Sequence, residues 1–123
     1  PHIGDLSAVA PGGTILHISL RDLSPEVILG CDNVVDDADH VCRAQTSVHL
    51  AEERVGHRKF IRATLADVLS GEAPGKDDPR RITVFSPFGL GVLDLAVGKW
   101  VCDAAARSGC GTVIQSFLPE SHS

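Results

Sequence analysis

Thr14-Ile15-Leu16-His17-Ile18-Ser19-Leu20-Arg21-Asp22 is the stretch on which the fold turns. It follows the turn signal Pro11-Gly12-Gly13, is dominated by β-branched and apolar residues over 14–20, and stops at a charged pair, as a mostly buried strand does. Ser24-Pro25-Glu26 comes next. Ser24 is placed to cap a helix, and Pro25 at the first helical position forgoes an N–H that would have no partner there. Gly30 closes this short helix. A strand that feeds a helix so directly opens an α/β unit.

The pattern repeats outward from there. Asn33-Val34-Val35 is a second strand that runs into Asp36-Asp37, a carboxylate pair suited to the positive end of a following helix. The spacing of Val41, Ala44, Val48, Ala51 and Val55 predicts one helix over residues 38–55, stopped by Gly56. Thr64 caps a short helix over 65–69, with Gly71 just beyond. Residues 72–78 are polar and turn-rich, hence an exposed loop. Residues 81–86 form the next strand, followed by Pro87-Phe88-Gly89-Leu90-Gly91, a turn of small residues that lets another group approach the backbone. Leu93, Ala96, Val97, Trp100, Val101 and Ala104 then recur at helical spacing, and Gly109-Cys110-Gly111 ends that helix before a last apolar strand at 112–114. Strands and helices in alternation imply parallel strands joined by crossovers, so the predicted fold is α/β, a parallel sheet of about four strands with helices on both faces. Ligands of such sheets bind beyond the carboxyl ends of the strands, here residues 19–22, 35–37 and 86–89.

Composition bounds what this fold does. The 123 residues, 43% of them hydrophobic, supply one core and little more. A net charge of −5 with scattered basic residues argues against nucleic-acid or anionic-membrane partners. No apolar run reaches the ~20 residues of a bilayer span, and the start lacks the features of a signal peptide, so a cytoplasmic protein is expected. Cys31, Cys42, Cys102 and Cys110 match no CxxC pattern and are expected to be reduced packing residues. The chain begins with Pro1 and contains no Met, which admits either removal of an initiator Met or excision from a longer polypeptide.

Few residues stand out as chemistry. Asp22 follows a hydrophobic strand in the turn before a helix, where both catalytic carboxylates and ordinary capping residues occur. Asp32, Asp36, Asp37, Asp39 and His40 resemble a metal cluster, but side chains of consecutive residues diverge around a helix start, so they read as a solvated acidic cap and no metal site is expected. His17 interrupts an otherwise buried strand and must find a hydrogen-bond partner there. The turn Ser86-Pro87-Phe88-Gly89-Leu90-Gly91 carries two glycines without the GxGxxG fingerprint; an ordinary tight turn is as good a reading as a dinucleotide contact.

Taken together, Ile15-Leu16-His17-Ile18-Ser19-Leu20-Arg21-Asp22, Asn33-Val34-Val35-Asp36-Asp37 and Val84-Phe85-Ser86-Pro87-Phe88-Gly89-Leu90-Gly91-Val92-Leu93-Asp94-Leu95-Ala96 resemble the carboxyl-terminal part of the ornithine cyclodeaminase and mu-crystallin family. Within it they are most similar to the dehydrogenases of 2,3-diaminopropionate biosynthesis. The resemblance implies a partial Rossmann-type sheet that binds NAD. Residues 1–123 would be the late part of the NAD-binding domain, with helix 90–107 returning toward a substrate domain absent from the chain. It also implies an amino-acid-like substrate, completion of the site by a missing amino-terminal segment or a second chain, and a homodimer of the full-length protein. The implied reaction oxidises N-(2-amino-2-carboxyethyl)-L-glutamate to give 2,3-diaminopropionate and 2-oxoglutarate. Other readings are an ornithine cyclodeaminase-type deaminase fragment, or a non-catalytic half-domain that binds or regulates a full-length relative. Carried over by position, Asp22 is the implied catalytic group near the substrate amine, and Ser19, Leu20, Ser86, Phe88 and Gly89 are the implied cofactor-binding residues. Asp94 is assigned a structural role.

Overall fold

A computed structural model describes His2 and residues 5–114. Its elements, in chain order, are β1 (Thr14–Leu16), α1 (Pro25–Gly30), β2 (Asp32–Val35), α2 (Ala38–Val41), α3 (Ser47–Val55), β3 (Ile61–Thr64), α4 (Leu65–Ser70), β4 (Thr83–Ser86) and α5 (Gly91–Ser108). The chain divides into two compact units, Pro1–Leu90 and Gly91–Ser123. The first holds all four strands, in the order β1-β4-β2-β3, and every neighbouring pair is parallel. The expected four-stranded parallel α/β sheet is therefore present.

The register explains the core. Val84 pairs with Ile15 on one side and Asn33 on the other, so the three form one row across β1, β4 and β2. Val84 packs with Ile28 of α1 and Ala51 of α3, all three fully buried. Two positions along β2 from Asn33, Val35 packs with Val41 of α2 and Val48 of α3. α1 thus covers the first row, α2 the second, and α3 reaches both; fully burying an aliphatic side chain of this kind contributes about 1.5–3 kcal/mol. Ser24 caps α1 as expected by accepting from the Val27 N–H. Thr64 caps α4 in a reciprocal box with Asp67, and Gly71 ends it in the left-handed conformation.

Three expectations are corrected. The single helix over 38–55 is two helices, α2 and α3, separated by residues 42–46, with Ala44 (φ 53°) and Gln45 (φ 55°) both left-handed. Thr46 makes the break: its hydroxyl donates to the Val41 carbonyl at 2.5 Å, closing α2, and accepts the His49 N–H at 3.0 Å, opening α3. The strand at 112–114 does not form. A strand persists only by pairing, and no described strand pairs with those residues. The fourth strand is instead β3, and β1 ends at Leu16 rather than Leu20, although the His17 N–H still donates to the Phe85 carbonyl at 2.8 Å.

The second unit contributes α5, which runs to Ser108 and stops where Gly109 turns left-handed (φ 64°). Cys102 and Cys110, expected as packing residues, are exposed, whereas Cys31 and Cys42 are buried; all four are free thiols. Among the described residues no helix is long and apolar enough to cross a membrane, and no cluster of metal-binding side chains occurs.

Candidate functional site

The carboxyl ends of β1 and β4 lie side by side, and a cavity of about 250 Å³ opens there. Its walls include Ser19 and Leu20 from the segment after β1, Ser86 and Phe88 from the end of β4, and Thr46, Ser47 and Val48 from the start of α3. Four of the five residues carried over as cofactor contacts are thereby brought together. Gly89, the fifth, does not line the cavity; its N–H donates to the Asp36 carboxylate at 2.7 Å.

Asp36 builds this turn. Its carboxylate accepts from the Phe88 N–H at 3.0 Å, the Gly89 N–H and the Asp37 N–H at 2.8 Å, so one side chain at the end of β2 fixes the chain as it leaves β4. Asp37 performs the separate task of capping α2, accepting from the His40 N–H at 2.8 Å. The acidic pair was legible as a cap, but the role of Asp36 was not, because its partners lie 52 and 53 residues away.

His17 is the polar centre of the site. Its ring is buried, and both nitrogens end on serine hydroxyls: Nδ1 lies 3.0 Å from Ser86 Oγ and Nε2 lies 3.1 Å from Ser19 Oγ. Burial pushes the imidazole below its ordinary pKa, against the opposing pull of the nearby Asp22 charge, which favours the neutral ring. A neutral ring donates through one nitrogen and accepts through the other.

Asp22 lies beside this cavity, not in it. Its backbone N–H donates to Ser19 Oγ at 3.4 Å, and it faces an adjoining apolar groove that shares His17 and Ser19 with the first cavity. Asp32, the first of the supposed metal cluster, starts β2 and turns to a different partner: Arg62 grips its carboxylate through Nε at 2.6 Å and Nη2 at 3.1 Å, and the Thr83 hydroxyl donates at 2.9 Å.

This geometry can be set beside known proteins. The model of the ornithine cyclodeaminase/mu-crystallin family matches residues 6–109, most of the chain. The chain belongs to this family. Similar proteins include a delta(1)-pyrroline-2-carboxylate reductase of Bacillus thuringiensis subsp. konkukian, 31% identical over 79% of this chain and 30% of the relative. Another is the N-((2S)-2-amino-2-carboxyethyl)-L-glutamate dehydrogenase of Staphylococcus aureus, 26% identical over 86% of this chain and 32% of the relative. Among solved structures, an archaeal alanine dehydrogenase dimer with bound NAD superposes with a TM-score of 0.73 at 26% identity, covering 91% of this chain and 37% of that one. The delta(1)-pyrroline-2-carboxylate reductase of Thermococcus litoralis shares the fold, with a TM-score of 0.75 at 24% identity over 85% of this chain and 34% of that one. The chain therefore spans about a third of the length of the relatives it matches.

Proposed function

We propose that the chain supplies one wall of the nicotinamide site of an NAD-dependent dehydrogenase that acts on an amino-acid-like substrate. The observation that carries this reading is the convergence of Ser19, Leu20, Ser86 and Phe88 on one cavity at the carboxyl ends of two adjacent parallel strands, where α/β sheets bind their ligands. At about 250 Å³ the cavity is below the roughly 300–1,000 Å³ of a complete small-molecule site. It suits a ring and its substituent, not a whole dinucleotide. Leu20 and Phe88 offer apolar walls, and the Ser19 and Ser86 hydroxyls offer hydrogen bonds. The sequence carries no glycine-rich helix start of the kind that cradles a pyrophosphate, so residues beyond these 123 would hold the phosphates. When bound, the nicotinamide supplies the redox chemistry.

The chain's own groups then have distinct tasks. Ser19 and Ser86 orient the ring substituent. Asp36 holds the 86–89 turn so that Phe88 keeps its place on the wall. Asp22, anchored through its backbone to Ser19, holds or accepts a proton at its carboxylate beside the substrate amine. For the substrate we favour N-(2-amino-2-carboxyethyl)-L-glutamate, on the likeness of the His17–Asp22 and 86–96 segments to the diaminopropionate dehydrogenases and on the Staphylococcus aureus relative. A cyclic imino acid is the second reading, favoured by the relative that is 31% identical. In either reading helix 90–107 leads toward a substrate domain outside the chain, and the full-length protein works as a homodimer, as the archaeal neighbour is a dimer.

Amide-resolved NMR of the 15N-labelled chain tests this. NAD+ is expected to shift Ser19, Leu20, Ser86, Phe88 and Gly89. In its presence N-(2-amino-2-carboxyethyl)-L-glutamate is expected to shift Asp22 more than L-proline or L-alanine does. Shifts confined to the Arg62 end of the sheet, or none at all, would overturn the cofactor reading; a larger response of Asp22 to L-proline would move the substrate to the second one.

A further inference from the structure

The bonds around His17 form a chain with a direction. The Asp22 N–H points at Ser19 Oγ, Ser19 Oγ lies at His17 Nε2, and His17 Nδ1 lies at Ser86 Oγ. The Asp22 N–H can only donate, which fixes Ser19 Oγ as its acceptor. Hydrogen bonds that run head to tail polarise one another, so the favoured arrangement has the Ser19 hydroxyl donating to Nε2 and Nδ1–H donating to Ser86 Oγ. A neutral imidazole permits this, having one donor and one acceptor nitrogen. The consequence falls on the two serines that line the cavity. Ser86, having accepted from His17, keeps its own O–H to donate. Ser19, donating its O–H to His17 and accepting the Asp22 N–H, keeps a second lone pair to accept. The reverse tautomer would exchange these roles, and a doubly protonated ring would leave both serines as donors.

We propose that His17 is a positioning residue whose Nδ1–H tautomer presents Ser86 to the cavity as a donor and Ser19 as an acceptor, matching it to a primary carboxamide. A carboxamide carries one acceptor oxygen and one donor NH2, the complement of this pair. A carboxylate carries no donor and leaves Ser19 facing an oxygen. The ligand class is thus a planar ring bearing an amide, discriminated from the same ring bearing an acid. This inference rests on the reading of the cavity as the nicotinamide site. It goes further in assigning His17, which lines the cavity and acts through Ser19 and Ser86, the task of setting which hydroxyl donates.

The test uses the chain as it exists. Long-range 1H–15N correlation of the ligand-free protein reports the His17 tautomer, with Nδ1–H expected and Nε2–H overturning the proposal. Titration with NADH and with its nicotinic-acid counterpart, deamido-NADH, then reads the discrimination. The wild-type chain is expected to favour the amide by about tenfold, the worth of one hydrogen bond of ordinary strength. His17→Gln, whose amide nitrogen stands nearer to Nε2, and His17→Ala are expected to lose that preference. His17→Asn, whose amide nitrogen stands nearer to Nδ1, is expected to keep part of it. Equal binding of the two dinucleotides by the wild-type chain would sink the inference and spare the cofactor reading. Binding of neither would remove the cofactor reading and this inference with it, whatever the tautomer.

Discussion

Removing one partner of the Asp32–Arg62 pair should destabilise the sheet strongly. The Asp32 side chain is 6% exposed and that of Arg62 19%. Two N–H groups of Arg62 and the Thr83 hydroxyl converge on the one carboxylate, and a third arm of the same guanidinium donates to the Pro74 carbonyl at 2.8 Å. Deleting one member of a buried pair costs about 3–5 kcal/mol, because the survivor keeps its desolvation penalty without its partner. The two deletions are not equivalent. Arg62→Ala leaves the more buried group charged and belongs at the upper end; Asp32→Ala leaves a guanidinium that reaches water and still has Pro74, and belongs at the lower end. The double variant is expected to be less destabilised than the sum of the singles. Urea unfolding followed by far-UV circular dichroism measures this. The pH dependence supplies a second reading. Burial alone would raise the Asp32 pKa, but the hydrogen bonds of Arg62 and Thr83 and the guanidinium charge more than reverse it, so it lies below the ordinary carboxylate value. Its stabilisation is then complete above about pH 4 and is lost as pH falls through the folded value. Arg62→Ala should abolish that loss. A cost below about 1 kcal/mol for Arg62→Ala, the range of exposed pairs, would refute the assignment of this pair as a buried strut.

Three further outcomes are expected. Gly12 combines φ 76° with a site where an added Cβ would lie 2.9 Å from the Pro79 carbonyl oxygen, so Gly12→Ala should cost more than the ~1–2 kcal/mol of a left-handed L-residue, whereas Gly75→Ala, with open space, should be near neutral in the same urea assay. Iodoacetamide at pH 8 should label Cys102 and Cys110 first and Cys42 last, read by peptide mass spectrometry, since burial and the hydrogen bond with Glu52 push the Cys42 thiol up to about 12; early labelling of Cys42 would contradict its packing. Among the described residues the edge strand β1 pairs only with β4, and it carries Leu16 at 69% exposure, so the chain should self-associate in light scattering and Leu16→Lys should reduce this. A monodisperse wild-type monomer would tell against an open apolar edge.

What the sequence showed, and what it hid, follow from the range of the forces involved. Ser24, Thr64 and Gly109 were legible because capping is decided within three or four residues. The break between α2 and α3 was not, because Val41 and Val48 are seven residues apart, two helical turns in a continuous helix and an equally good pair of core positions across a capped break. The signal was Thr46-Ser47, a cap pair inside a helical pattern. β3 escaped because Arg62 interrupts it and is explained only by Asp32, thirty residues earlier. The apolar run at 112–114 is strand-like in composition, but composition supplies no neighbour to pair with. In the site, His17 could be singled out as a buried polar group in need of partners, while the identity of those partners, Ser19 and Ser86, required the register of β1 on β4.

The two ends of the sheet show where a ligand is wanted. At the amino ends of β2 and β4, Asp32, Arg62 and Thr83 close on one another, and the free arms of Arg62 and Lys76 end on the carbonyls of Pro74 and Arg81. Charge there is strong but spent within the protein, and its removal should be felt in stability. At the carboxyl ends of β1 and β4 the polar groups are neutral, and each serine has met one nitrogen of His17. A hydroxyl has one proton and two lone pairs, so each retains hydrogen-bonding capacity that faces the cavity. Folding is thus satisfied at one end of the strands and left with unused, oriented capacity at the other. Substitution of Ser19 or Ser86 should therefore alter ligand binding well before it alters stability, the opposite order to Asp32 and Arg62.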